Sequence, residues 1–176
     1  SVGLQIQWPA GGDRKKSIDE LRQFLADAKV YDKVRSAPMA DGRPRVVEDP
    51  RYEALRPYVK GERTVFVEAV TRVQILEALQ FAPDTRLTKV LNGSLDGWKV
   101  AKDIADQQVP VILGSLMRAP LEEFDPLDAP LACAGRLHEA CGKVCFRANS
   151  AALARHLPLE AGVCVAYGLP EEVALR

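Results

Sequence analysis

The chain has 176 residues, 47% hydrophobic and 27% charged, the proportions of a folded soluble domain and not of a disordered tail. Its 24 Lys and Arg residues balance 24 Asp and Glu residues, so no net field draws it to nucleic acid or to an anionic membrane. No run approaches the roughly 20 apolar residues of a membrane span, and Val2 to Ile6 is too short for the core of an export signal. The first residue is Ser1, not Met, which is compatible with a processed protein, a lost export leader or a piece of a longer chain, and leaves the compartment open.

The first element is a short alternating strand, Val2 to Trp8, stopped by Pro9-Ala10-Gly11-Gly12. A long helix follows. Ser17 and Glu20 have the spacing of a capping box. Ile18, Leu21, Leu25 and Ala28 recur at helical period, and the helix is expected to end near Arg35. Gly11 to Lys16 has the flavour of a phosphate loop but lacks the GxxxxGK[ST] spacing, so it reads as a solvated turn before the helix. Residues 36 to 48 read as a loop, with Pro38, Gly42 and Pro44 among charges. Asp49-Pro50 opens a second helix as N-cap and first helical residue. Tyr52, Leu55 and Val59 share one face, Pro57 is expected to shorten or kink the helix, and Gly61 to stop it.

A βα rhythm then begins. Thr64 to Ala69 is an apolar run of strand length. Thr71 and Gln74 form a capping box for a helix through Phe81. Arg86 to Leu91 is a strand, Asp96 is expected to cap the next helix, and Val109 to Leu113 is a third strand. A proline-bearing loop leads to a helix around Leu131 to Ala140, with Gly142 in the glycine position past its end. Lys143 to Phe146 is a fourth strand, and Ala151 to Leu169 is helical with a break expected at Pro158. Cys133, Cys141, Cys145 and Cys164 match no zinc or CxxC spacing and read as free, buried thiols. Strands of this kind joined by helices imply a parallel sheet, either a small doubly wound sheet or part of a (β/α)8 barrel. A whole barrel takes about 250 residues, so the chain is short for one.

From about residue 60 a series of phrases resembles imidazolonepropionase-like members of the amidohydrolase superfamily. Val65-Phe66-Val67-Glu68-Ala69 is similar to a strand reading VFVHA there, and Ile75 to Leu79 to the helix after it. Gly97 to Ala101, Val109 to Gly114 and Ala134 to His138 resemble the next landmarks. Leu157-Pro158-Leu159-Glu160-Ala161-Gly162-Val163-Cys164-Val165-Ala166-Tyr167-Gly168-Leu169 is similar to LPYEAGMAVAYGL. The resemblance implies a partial TIM barrel of the metal-dependent hydrolase type, corresponding to the second half of the barrel. It also implies a family that hydrolyses C–N bonds of cyclic amides with a divalent metal such as zinc. As a domain plan it implies a single α/β domain, with 1–60 a helical part and 61–176 the βα units.

The family's ligand set is degenerate here. There is no HxH, and the only histidines are His138 and His156, both expected at helix ends. Glu68 stands where the fifth-strand histidine is needed, Asn92-Gly93 falls at the sixth-strand histidine, and Ser150 takes the place of the eighth-strand aspartate. Glu68 is therefore a candidate metal ligand or general base, and equally a solvent-facing residue at a strand end. With Ser150 it is the candidate catalytic pair. Asn92, Ser94, Arg147 and Asn149 are candidate pocket-rim residues. Arg147 suits an anionic ligand, while Asn149 and Ser150 could instead cap the following helix. A chain with this ligand set is expected to be inactive alone, or to be a non-catalytic binding or structural relative. The raw edges of half a barrel point to self-association or to a missing barrel half, with a small-molecule ligand possible and no nucleic acid or membrane span.

Overall fold

The computed structural model describes residues 3–37, 47–81 and 87–176. The loop expected between 36 and 48 therefore lies largely outside the described residues, as does Arg86. By compactness the chain divides into two units, Ser1–Leu4 with Pro9–Val65 and Ala82–Thr88, and Gln5–Trp8 with Phe66–Phe81 and Lys89–Arg176.

The first unit rests on two helices, α1 (Arg14–Ser36) and α2 (Pro50–Val59). Leu25, Ala28 and Tyr31 from α1 and Leu55, Tyr58 and Val59 from α2 are buried. Tyr52 stacks at 5.5 Å on both Phe24 and Tyr31. The expected box at Ser17 does not form. The helix starts four residues earlier, because Asp13 follows the Gly11–Gly12 turn and Arg14-Lys15-Lys16 are good helix formers. The Ser17 hydroxyl donates instead to the Asp13 carbonyl at 3.4 Å. Asp49 does cap α2, accepting from the Arg51 N–H at 2.9 Å. Pro57 neither ends α2 nor leaves its end bare: its carbonyl accepts from the Glu62 and Arg63 amides, and Gly61 turns the chain at φ +76°.

The second unit carries most of the sheet. The strands are β1 (Leu4–Gln7), β2 (Thr64–Glu68), β3 (Thr88–Asn92), β4 (Val111–Gly114) and β5 (Val144–Arg147), in spatial order β1-β2-β3-β4-β5. All are parallel. Between and after them come α3 (Arg72–Gln80), a 3₁₀ turn (Leu95–Val100) leading into α4 (Ala101–Asp106), and α5 (Ala129–Glu139). Past β5 lie a second 3₁₀ turn (Ala151–His156), α6 (Leu157–Ala166) and α7 (Glu171–Ala174). Sequential order is the topology of a (β/α)8 barrel; a doubly wound sheet would reverse direction at a switch point. Strand residues alternate accordingly. Val67, Ala69, Leu91, Val111 and Leu113 are buried. The register Asn92↔Ile112↔Cys145 and Gly114↔Arg147 puts Asn92, Ile112, Gly114, Cys145 and Arg147 on the opposite face.

Three local expectations are corrected in this unit. Gly142 is not the left-handed residue closing α5. Cys141 takes that place at φ +66°, its amide bonded to the His138 carbonyl and the Gly142 amide to that of Leu137. Glycine is required at 142 for another reason, since a Cβ there would sit 2.8 Å from the Leu137 oxygen. Pro158 does not break a helix; it lies in the first turn of α6, where its missing N–H costs nothing. Of the four free cysteines, Cys133 and Cys164 are buried as expected, but Cys141 is exposed at the helix end and Cys145 on the open face of β5.

Candidate functional site

The polar groups of the second unit gather at the C-terminal ends of the strands, the end that carries the chemistry of (β/α)8 enzymes. Glu68 is the last residue of β2. Its side chain accepts a 2.8 Å hydrogen bond from the Gln5 amide of β1, and its Oε1 lies 3.8 Å from a terminal nitrogen of Arg147 at the end of β5. Both partners of that ion pair are partly exposed, at 29% for Glu68 and 37% for Arg147. To reach from β5 toward β2, the Arg147 side chain passes over glycines. A Cβ on Gly114 would lie 2.9 Å from Arg147 Nε and 2.7 Å from Asn149 Oδ1; a Cβ on Gly93 would lie 3.6 Å from Arg147 Nη2. Gly93 further needs φ +77°, which other residues rarely adopt.

Two polar atoms here are buried without a hydrogen-bond partner, Asn92 Oδ1 and Arg147 Nε. Asn92 is only 6% exposed. Each leaves desolvation uncompensated, at a cost of about 1–3 kcal/mol for such a group. One is an acceptor in want of a donor, the other a cationic donor in want of an acceptor.

The loops behind these groups are tied to one another. The Ser94 hydroxyl donates to the Ala69 carbonyl at 2.9 Å, and the Asp96 amide to the Val70 carbonyl at 3.1 Å. Contrary to expectation, Asp96 does not cap its own helix, because a 3₁₀ turn begins at Leu95 before the chain reaches α4. Its Oδ2 accepts from the Arg72 amide at 3.0 Å, capping α3 from a neighbouring loop, and its Oδ1 pairs with Lys99 at 3.4 Å. Lys99 also meets Asp125 at 2.7 Å and Glu122 at 3.0 Å, and these carboxylates outweigh the effect of burial and raise its pKa. Thr71 and Gln74 complete the expected capping box on the same helix.

The candidates thus separate. Glu68, Asn92, Arg147 and Asn149 are on or beside the sheet end. Ser94 is not a rim residue: it is fully buried and spends its hydroxyl on holding the loop after β3 against the end of β2. Ser150 is exposed, and it makes no side-chain cap to the turn that follows it. His138 and His156 stay at helix ends, the latter accepting from Arg155 at 3.2 Å. Gln5 and Gly114 were not singled out beforehand. The signals for them were the alternation of β1, which puts Gln5 opposite in face to Leu4 and Ile6, and a glycine ending the apolar run of β4.

A divalent metal does not fit this donor set. Among the described residues no group of three or more His, Cys, Asp or Glu side chains is arranged so that it could hold a metal ion. Glu68 faces an amide donor and a guanidinium, and a resident cation opposes a second one at the same carboxylate. One carboxylate and one amide oxygen also fall short of the protein ligands a catalytic zinc site takes.

The fold has a solved counterpart. Over 99% of its length the chain is similar to the crystal structure of an amidohydrolase from Thermotoga maritima, with a TM-score of 0.80 and 17% identity. At that identity the likeness is one of fold. It covers 49% of the other chain, so this chain spans about half the length of the structure it matches. No family model and no curated protein matches it.

Proposed function

We infer that the chain is the C-terminal share of an amidohydrolase-like barrel and that on its own it performs no metal-dependent hydrolysis. The observation that carries this is the pairing of Glu68 with Gln5 and Arg147 at the catalytic end of a sequentially ordered parallel sheet. The resemblance to imidazolonepropionase-like proteins puts Glu68, Asn92 and Ser150 at ligand positions. A glutamate occupied by an arginine, an asparagine and an exposed serine do not make a site that polarises a carbonyl or activates water. A small-molecule ligand near Arg147 and Asn149, at the same end of the sheet, belongs to this reading.

The sheet of the second unit ends at β5, whose far edge is unpaired among the described residues. Beside it an open groove of about 830 Å³ is lined by Val144, Phe146, Leu157, Pro158, Val165 and Leu175 among others. Unpaired edges next to apolar surface call for another strand. Five strands of an eight-stranded barrel leave room for further βα units, supplied by a partner chain, a second copy or more of the same chain. A non-catalytic binding subunit is the second reading, and the Arg147–Glu68 pair favours it.

The test is turnover of cyclic amides by the purified chain supplied with zinc. No turnover is expected. Hydrolysis abolished both by a chelator and by Glu68→Gln would overturn the inference.

A further inference from the structure

We propose that a second copy of this chain fills the open groove beside β5, inserting Phe124 from the loop between β4 and α5. This rests on the reading of β5 as an open edge and names what covers it. The groove, of about 830 Å³, lies between β5 and the last two helices, with Val144, Phe146, Leu157, Val165, Val173 and Leu175 on its walls. Polar backbone borders it too. The Val111 amide donates to the Lys143 carbonyl at 2.8 Å, so in the parallel register Lys143, Cys145 and Arg147 bond toward β4. Val144 and Phe146 then turn their N–H and C=O groups away from β4, to the open side. A bare edge beside an apolar surface is what a further chain covers.

The chain itself carries a matching part. Phe124 is 96% exposed, the most exposed large hydrophobic side chain among the described residues, and Leu127 is 83% exposed. The turn that presents Phe124 is pinned on both sides. Glu122 and Asp125 pair with Lys99 at 3.0 and 2.7 Å, and the Asp125 amide donates to the Glu122 carbonyl at 3.2 Å. Docking a side chain held in this way loses little conformational freedom. Aromatic anchors seated in apolar pockets dominate the energetics of contacts between chains. Charge agrees with the pairing. The loop exposes Glu123 and Asp128, while Lys143 and Arg176 border the groove against a single carboxylate, Glu171. Loop and groove are different surfaces, so the contact runs head to tail, each copy offering its loop to one neighbour and its groove to another.

The experiment is sedimentation velocity of the 176-residue chain in the presence of a chelator, over a concentration series. The mean mass is expected to rise with concentration beyond that of one chain. Phe124→Ser removes a side chain that supports no core and should raise the Kd of association about tenfold or more, the effect of losing an aromatic anchor. Gly162→Glu acts from the groove side. A Cβ at Gly162 meets nothing within 4 Å, so the new side chain enters the groove without disturbing α6, and it should weaken association as much. Mixed together, the two variants retain one intact groove and one intact loop and should form a one-to-one pair. The mass of a single chain at every concentration up to about 100 μM, above the micromolar range of weak contacts, would overturn the proposal. So would association unchanged in either variant, or a mixture that stays monomeric. Zinc-dependent turnover would strike the reading of function and leave the association standing; a monomeric chain without turnover would do the reverse.

Discussion

Gly114 and Asp96 show how single residues build the site. Gly114 ends β4 with no side chain because Arg147 Nε and Asn149 Oδ1 occupy the space a Cβ would need, at 2.9 and 2.7 Å. Gly114→Ala should thus push both side chains off the sheet end, costing about 1–3 kcal/mol of stability by chemical denaturation. It should also displace the Arg147 Nε–H resonance. An unchanged spectrum would mean that the glycine has no role in placing the arginine. Asp96 is 2% exposed and holds the first amide of α3 and the ammonium of Lys99 together. Asp96→Ala should destabilise by about 2–4 kcal/mol, since it orphans a helix N–H and removes a buried partner from a charge that keeps Asp125 and Glu122. A loss below about 0.5 kcal/mol, the range of ordinary surface changes, would show that the two loops are held by other means. The cysteines divide by position. Burial raises the thiol of Cys133 to about 12 and that of Cys164 to about 11, so neither should react with a thiol reagent in the folded chain. Cys141 and Cys145, both exposed, should react, Cys145 the more slowly because desolvation raises its thiol, and labelling of all four without denaturant would contradict the burial of Cys133 and Cys164.

At the scale of elements, what could be read ahead of the structure follows from how local each signal is. The box at Thr71–Gln74 and the Asp49–Pro50 start involve residues within one turn, and both form. The apolar runs of β2 and β4 were legible because a strand buried by helices has few ways to look otherwise. Ser17–Glu20 misled because the helix already starts four residues upstream, after Asp13. Asp96 misled because its partner, Arg72, is 24 residues away, and no spacing rule reports that. The left-handed turn at Cys141 was invisible because a glycine stood next to it and offered the simpler explanation. Of the site, Glu68, Asn92 and Arg147 could be named from strand ends, but their relation to Gln5 and Gly114 needs the register of the whole sheet. The first unit yields a prediction of its own. Asp32 works against its burial and is held below the usual carboxylate range by Arg56 and Lys60; Glu53 is lowered chiefly by Arg56, then by Tyr31 and Arg35. Both groups have folded pKa values depressed below their unfolded ones. Their stabilisation is therefore full above the unfolded carboxylate values near pH 4 and drains away as pH falls through the lower folded values. The α1–α2 pair should lose helical signal on acidification below about pH 4 in wild type, with a smaller pH effect in Arg56→Met. Equal acid sensitivity of the two would show that this network does not set it.

The whole molecule is an amidohydrolase-like α/β fold with five parallel strands in barrel order, matching half the length of its solved counterpart. At the C-terminal ends of its strands an arginine reaches across two glycines toward a glutamate. Fold and chemistry have separable requirements: the sheet needs only buried apolar alternation and tied loops, whereas metal chemistry needs a converging donor set. The most direct test of this account is the metal content of the chain after incubation with zinc and removal of the unbound ion, read by elemental mass spectrometry. The account predicts well under one equivalent, unchanged in Glu68→Gln. One retained zinc per chain, lost in that variant, would contradict it and restore Glu68 as a ligand.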